Sequence, residues 1–170
     1  VILAREDRAR ALPARPVWIA GLGAASDTMS VLTRENLTSL PAARRAAREA
    51  YAMAGLGPTD VQVAEVHDCF TIAEILAYED LGFCEPGAGA RLAVDGATRR
   101  GGRIPVNPDG GLKAKGHPIG ATGVSMTHEI VKQLRGEAGP RQVQGARVGL
   151  THNVGGIGQY CFVQVLTVED

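Results

Sequence analysis

Four short stretches carry the apolar runs of buried strands: residues 17–20 at the head of "VWIAGLG", 61–65 in "VQVAEVHD", 146–151 in "ARVGLT" and 159–166 in "QYCFVQVL". Three others have helical spacing. In "SLPAARRAAREAYAMAGLGPTD", Ser39 stands where an N-cap belongs, Pro41 suits a first turn, and Gly55 to Pro58 form a stop, which predicts a helix over 42–54. Ile72, Ile75, Leu76 and Leu81 predict a second helix over 72–81. Val124, Ile130, Val131 and Leu134 put one apolar side on a third, over 120–134, with a glycine at its end. Strands that alternate with helices and close on a hairpin describe a layered α/β unit around one mixed sheet.

The remaining segments read differently. Val1 to Ala4 resemble the tail of a buried strand, and the charges and prolines of "REDRARALPARP" suit an exposed connection. From Cys84 to Gly116 the chain is rich in glycine and proline, which predicts mostly loop with a short strand at "RIPVN". A long ordered loop in a compact domain is usually functional.

A length of 170 residues supports one domain with a real core. Eighteen Lys and Arg against eighteen Asp and Glu leave no net charge, and no basic stripe with interleaved aromatics suggests nucleic acid. No long apolar span suggests a membrane. The chain has 22 glycines and only 4% aromatic residues, so its backbone must turn or approach something closely in many places. Cys69, Cys84 and Cys161 form no disulfide framework, and the expected setting is the reducing cytoplasm.

Chemistry concentrates in three segments, each at a turn: "EVHDCF" with His67 and Cys69, "KGHPIGATG" with His117, and "THNVGGIG" with His152 and Asn153. Strand ends on one edge of an α/β sheet converge, so three such loops can build one pocket. Pro118 restrains the backbone beside His117, and Gly120 and Gly123 open the next helix, where backbone can approach an anion or oxyanion closely. No lysine follows these glycines as a phosphate-binding P-loop requires. A metal site from His67, Cys69 and His117 lacks the CxxC or HExxH spacing such sites use, so none is expected.

Taken together, "HDCF", "GHP" and "HNVGG", with the long run "GGRIPVNPDGGLKAKGHPIGATG", resemble the C-terminal half of the thiolase superfamily. The likeness is nearest to the sterol-carrier-protein type and the archaeal acetoacetyl-CoA thiolases, and it extends from about Val17 to Val168. It implies a thiolase-like C-terminal domain over residues 17–170, layered α-β-α with a mixed five-stranded sheet. Residues 1–16 would then be the end of a preceding N-terminal domain and its linker.

The resemblance further implies acyl exchange between coenzyme A thioesters through an acyl-cysteine, with no other cofactor. His117 would activate the nucleophile and stabilise an oxyanion. His67 stands where most members carry asparagine and would serve the oxyanion hole. Cys69 would be the acid/base, because the late "CxG" cysteine of most thiolases is replaced here by Asn153-Val154-Gly155, and an amide cannot exchange a proton at neutral pH. Its pKa, ordinarily about 8.5, would be adjusted by neighbouring imidazoles. Gly155 would offer a backbone N–H to the second oxyanion, with Asn153 and Gly120 on the substrate. Asp68 is expected to be a structural hydrogen-bonding residue, Cys84 and Cys161 packing residues, and His152 has no assigned role.

The same resemblance places the nucleophile in an N-terminal half, in the same or a separate chain. It implies a homo-oligomer, with a zinc-ribbon/OB-fold protein as a further possible partner. The rival reading is a non-catalytic thiolase-like scaffold subunit that binds acyl-CoA or a partner protein. Such a subunit is expected to lose Cys69 or His117, and both are present.

Overall fold

A computed structural model describes residues 1–169. Its centre is one mixed sheet of four strands, β1 (Trp18–Ser26), β2 (Val63–Val66), β3 (Val148–Gly155) and β4 (Tyr160–Thr167), in the order β1-β4-β3-β2. Only β2 and β3 run parallel; β3 and β4 form the expected antiparallel hairpin, and β1 pairs antiparallel with β4.

The sheet therefore has four strands and not the expected five. The "RIPVN" segment does reach the free edge of β2, where Ala64 N–H donates to the Pro105 carbonyl and Asn107 N–H donates to the Ala64 carbonyl. It goes no further than a single bridge, Ala64 to Val106. Pro105 has no N–H to give, and Asn107 leaves the extended region at φ 49°, so the ladder ends after one step.

Helix α2 (Pro41–Ala54) lies against β1 and β4 through Ala42, Ala43, Ala46, Ala47 and Ala50, all buried. The closeness of that contact depends on glycine. A Cβ on Gly23 would lie 1.8 Å from the Ala46 carbonyl oxygen, and one on Gly21 would lie 2.0 Å from that of Ala50. The helix ends at Gly55 in the left-handed conformation, as predicted. Its start differs from the expectation: Ser39 does not cap it, and the Asp80 carboxylate instead accepts from Ser39 Oγ at 2.6 Å and from Leu40 N–H at 2.7 Å. A side chain from the end of helix α3 (Thr71–Asp80) thus meets the start of α2, binding two elements with one carboxylate.

Helix α6 (Thr122–Arg135) covers the other face, with Met126, Ile130 and Leu134 buried over β2 and β3. Glu129 and Gln133 are also buried, and they satisfy each other at 2.9 Å while Arg141 pairs with Glu129 at 2.9 Å. Val124, expected on the apolar side, is half exposed, because α6 packs mainly over β2 and β3 and barely extends over β4. That leaves Leu22 of β1, Phe162 of β4, Ile119 and Val124 as an uncovered apolar face.

One strand reading and two loop readings are corrected. Helix α1 (Glu6–Arg10) occupies the supposed connection, held by Arg10 to Glu6 and Glu169. Val1 to Ala4 are exposed and in no strand. The 84–116 stretch contains helices α4 (Gly89–Val94) and α5 (Gly111–Lys115), each too short to register as periodicity.

Candidate functional site

Strand β2 delivers the candidate site. Glu65 and Val66 are its last residues, and the chain leaves the sheet at His67 and Asp68, both buried, before Cys69 emerges into solvent at the head of α3. The 107–115 segment holds this exit in place. Val66 N–H donates to Asn107 Oδ1 at 2.8 Å, Leu112 N–H to Asp68 Oδ1 at 2.9 Å, and Lys115 Nζ to Glu65 Oε2 at 2.8 Å. Asn107 in turn donates to Glu74 of α3 at 3.3 Å. Asp68 is the structural hydrogen-bonding residue expected of it, and Gly111 explains why that bond is close: a Cβ there would lie 2.1 Å from Asp68 Oδ2.

The same segment continues to His117. Its imidazole meets that of His67 edge to face, with centroids 4.9 Å apart and planes at 79°. His117 Nδ1 lies 2.6 Å from Thr122 Oγ1, whose own proton is given to the Pro118 carbonyl at 3.2 Å. With the hydroxyl proton on the Pro118 carbonyl, which also accepts from the Ala121 and Thr122 N–H groups, Thr122 can accept from His117, an arrangement that suits the Nδ1–H tautomer. In that tautomer the Nε2 lone pair belongs to an exposed imidazole.

The electrostatics divide the site. Burial, and then the neighbouring His117, hold His67 below the usual histidine range, which favours a neutral ring beside its partner. His152 is fully buried on β3 with no partner on either ring nitrogen among the described residues, and burial drives it down to about 3. Burial pushes the Cys69 thiol up and the Asp68 carboxylate adds to the rise, with backbone N–H groups opposing them. Glu65 is pushed up to about 8 by burial, and its Oε1 has no partner. Lys115 also contacts Asp109, so two carboxylates share one ammonium and the cluster readily holds a proton.

Beyond the first turn of α6 lies a cleft of about 560 Å³, bounded by the uncovered face of β1 and β4. Asn153 and Gly120 line it with Thr151, Gly123 and Phe162. Asn153 and His117 lie at neighbouring positions of one helix start: a Cβ on Gly123 would be 3.2 Å from Asn153 Nδ2, and Thr122, one residue earlier, holds His117. The structure thus joins His67 to His117, and Asn153 to Gly120. His67, Cys69 and His117 do not line that cleft, and Gly155 packs against Tyr160. Cys161 is buried in the core and Cys84 packs against it, as expected.

Glu65, Asn107, Lys115 and Thr122 escape the sequence reading although they hold the candidate groups. One signal was available, a glutamate inside an otherwise apolar strand two residues before His67. Among the described residues, no cluster of three or more His, Cys, Asp or Glu could hold a metal ion, and no helix is long and apolar enough to cross a membrane.

Residues 23–168 match the family described as Thiolase C-terminal domain-like. An acetyl-CoA acetyltransferase of Methanothermobacter thermautotrophicus is 52% identical over 167 residues, covering 98% of this chain and 44% of that protein. Human sterol carrier protein 2 is 43% identical over 162 residues, 86% of this chain and 30% of that one. Among solved structures, the Ltp2-ChsH2(DUF35) aldolase superposes with a TM-score of 0.84 at 28% identity, over 96% of this chain and 42% of its own. The chain therefore spans less than half the length of these relatives. It belongs to the thiolase C-terminal domain-like family.

Proposed function

We propose that this chain is the C-terminal half of an acyl-CoA acyltransferase of the thiolase type, which works on a cysteine supplied by an N-terminal half. The observation that carries the proposal is the His67–His117 pair, with Thr122 leaving His117 Nε2 free as a base. In this reading His117 Nε2 takes the proton of the nucleophilic thiol, whose sulfur attacks the acyl thioester carbonyl. The C–S bond to coenzyme A breaks, and the departing thiolate is protonated. Cys69 as thiolate then removes an α-proton from acetyl-CoA, and the carbanion attacks the acyl-cysteine carbonyl, releasing the cysteine and forming a 3-ketoacyl-CoA. His67, neutral and buried, donates to the enolate oxygen. Asn153, the Gly155 backbone and Gly120 belong to the substrate side.

The uncovered face of Leu22, Phe162, Ile119 and Val124 supports the need for a second half, since contiguous apolar surface of this kind marks an interaction site. The match to an aldolase solved with a DUF35 chain is consistent with a further partner protein. A second reading, a scaffold subunit that binds acyl-CoA or a partner without turnover, draws on one observation. Cys69 is pushed up and not down, so the chain alone does not activate it.

The deciding experiment is thiolysis of acetoacetyl-CoA by the complete protein and its His117→Ala variant. Loss of turnover on the order of 10² or more with thioester binding retained supports the enzyme. A wild type that binds acetyl-CoA without any exchange supports the scaffold.

A further inference from the structure

The buried cluster of Glu65, Lys115 and Asp109 has a position that packing alone does not explain. Glu65 is 1% exposed at the end of a strand whose other residues are apolar. A buried ion pair is generally no more stabilising than well-packed apolar residues of the same volume. This one is also incomplete, because Glu65 Oε1 has no partner and Lys115 divides its contacts between two carboxylates. Stability is therefore a weak reason for it.

Its placement along the chain is more informative. Glu65 lies two residues before His67, and Lys115 two residues before His117, so the ion pair stands directly behind the imidazole pair. Between Lys115 and His117 the chain passes through Gly116 at φ 82° and ψ 168°, with nothing within 4 Å of where its Cβ would be. Gly116 N–H donates to the Leu112 carbonyl at 2.9 Å and closes α5, but a glycine with open space around it brings no side chain of its own to fix the direction of His117. Thr122 fixes the ring from the other side.

We propose that Lys115 and Glu65 are positioning residues that clamp the GHP loop to the end of β2 and thereby set His117 edge to face with His67. The proposal rests on the reading of the two histidines as working groups, and its geometric part can be measured without that reading. Lys115 acts through Gly116, and Glu65 through the one residue that separates it from His67. With the clamp open, the two rings lose their fixed relation, and His117 Nε2 spends little time in the direction that the reaction needs.

The test is ring-to-ring NMR on the complete protein with isotope-labelled histidine, alongside thiolysis kinetics. Wild type shows a nuclear Overhauser cross-peak between the His67 and His117 rings. In Lys115→Met the cross-peak is lost and both signals move, while His128 and His152 keep theirs; Lys115→Arg restores it. Turnover in Lys115→Met falls by on the order of 10², as for a misplaced reacting group, with KM little changed. Glu65→Leu guards against simple unfolding: its thermal midpoint is retained or raised, yet the cross-peak disappears. A cross-peak that survives in folded Lys115→Met or Glu65→Leu overturns the clamp. Loss of the cross-peak in a protein whose wild type shows no thiolysis sustains the clamp and rejects the acyltransferase reading instead.

Discussion

His67 presents its ring to that of His117 edge to face at 4.9 Å, although the two residues come from different loops and neither follows from the conformation of the other. Two imidazoles this close cannot both be cations cheaply, and the buried one is the ring held low. Near neutral pH, His67 is thus a neutral donor or acceptor beside the exposed ring of His117.

The tautomer of His117 depends on one hydroxyl. Thr122→Val removes the acceptor for Nδ1–H while keeping the shape of a buried side chain. Turnover should fall by on the order of 10² to 10⁴, the range for a compromised general base, and Thr122→Ser should recover most of it. Nitrogen-15 shifts of the His117 ring report the tautomer directly. A Thr122→Val ring still protonated on Nδ1, with normal turnover, would end this account of the site.

Cys69 is exposed, like His117 and unlike the buried His67. In the complete protein, Cys69→Ala should still form the acyl-enzyme, whereas deuterium exchange at the α-carbon of acetyl-CoA should drop by on the order of 10² to 10⁴. His117→Ala should impair both steps. Wild-type exchange in Cys69→Ala would assign the proton transfer to another group.

Two buried groups give the stability a pH dependence of opposite sign. His152 has a folded-state value of about 3 against 6.5, so below 6.5 the unfolded chain binds more protons and stability drops as pH falls toward 3. His67 is shifted in the same direction and adds to the fall. Glu65, raised from 4.5 to about 8, is more protonated when folded, and its contribution is lost as pH rises through that interval. Urea unfolding at a series of pH values should therefore show a shallower acid limb for His152→Leu and a flatter alkaline limb for Glu65→Leu. Limbs identical to wild type would mean that neither group is shifted by folding.

Gly23→Ala tests the contact between α2 and β1. The added methyl meets backbone, the Ala46 carbonyl, and not a side chain that could rotate away. Overpacking of this kind costs about 1–3 kcal/mol, readable as a lower urea midpoint with unchanged slope. Gly101→Ala, with nothing within 4 Å of its Cβ, is the control, and equal midpoints would refute the close approach.

Local pattern carried much of this. Apolar runs located all four strands, and the alanine periodicity of 42–54 with Gly55 marked a helix whose body and stop are both observed. The motifs "HDCF", "GHP" and "HNVGG" belong to the same legible layer, because a turn with a fixed chemical task needs particular residues next to one another in sequence.

What periodicity could not determine is which distant residues meet. Whether "RIPVN" becomes a fifth strand depends on the Pro105 nitrogen facing β2 and on Asn107 turning away, both tertiary facts. Val124 has helical spacing suited to burial, but its exposure was decided by how far α6 reaches across the sheet. Asp80 displaced Ser39 from the start of α2 because α3 happens to end there. Glu65 and Lys115 are 50 residues apart, far beyond the reach of any local repeat. Side-chain spacing along a chain is set by the 3.6-residue or two-residue repeat of its own element, whereas contacts between elements are set by how their faces pack. The sequence by itself therefore determined the four strands, the three longer helices and the residue types of the site, and only packing decided that two imidazoles would face each other and that Glu65 and Lys115 would pair.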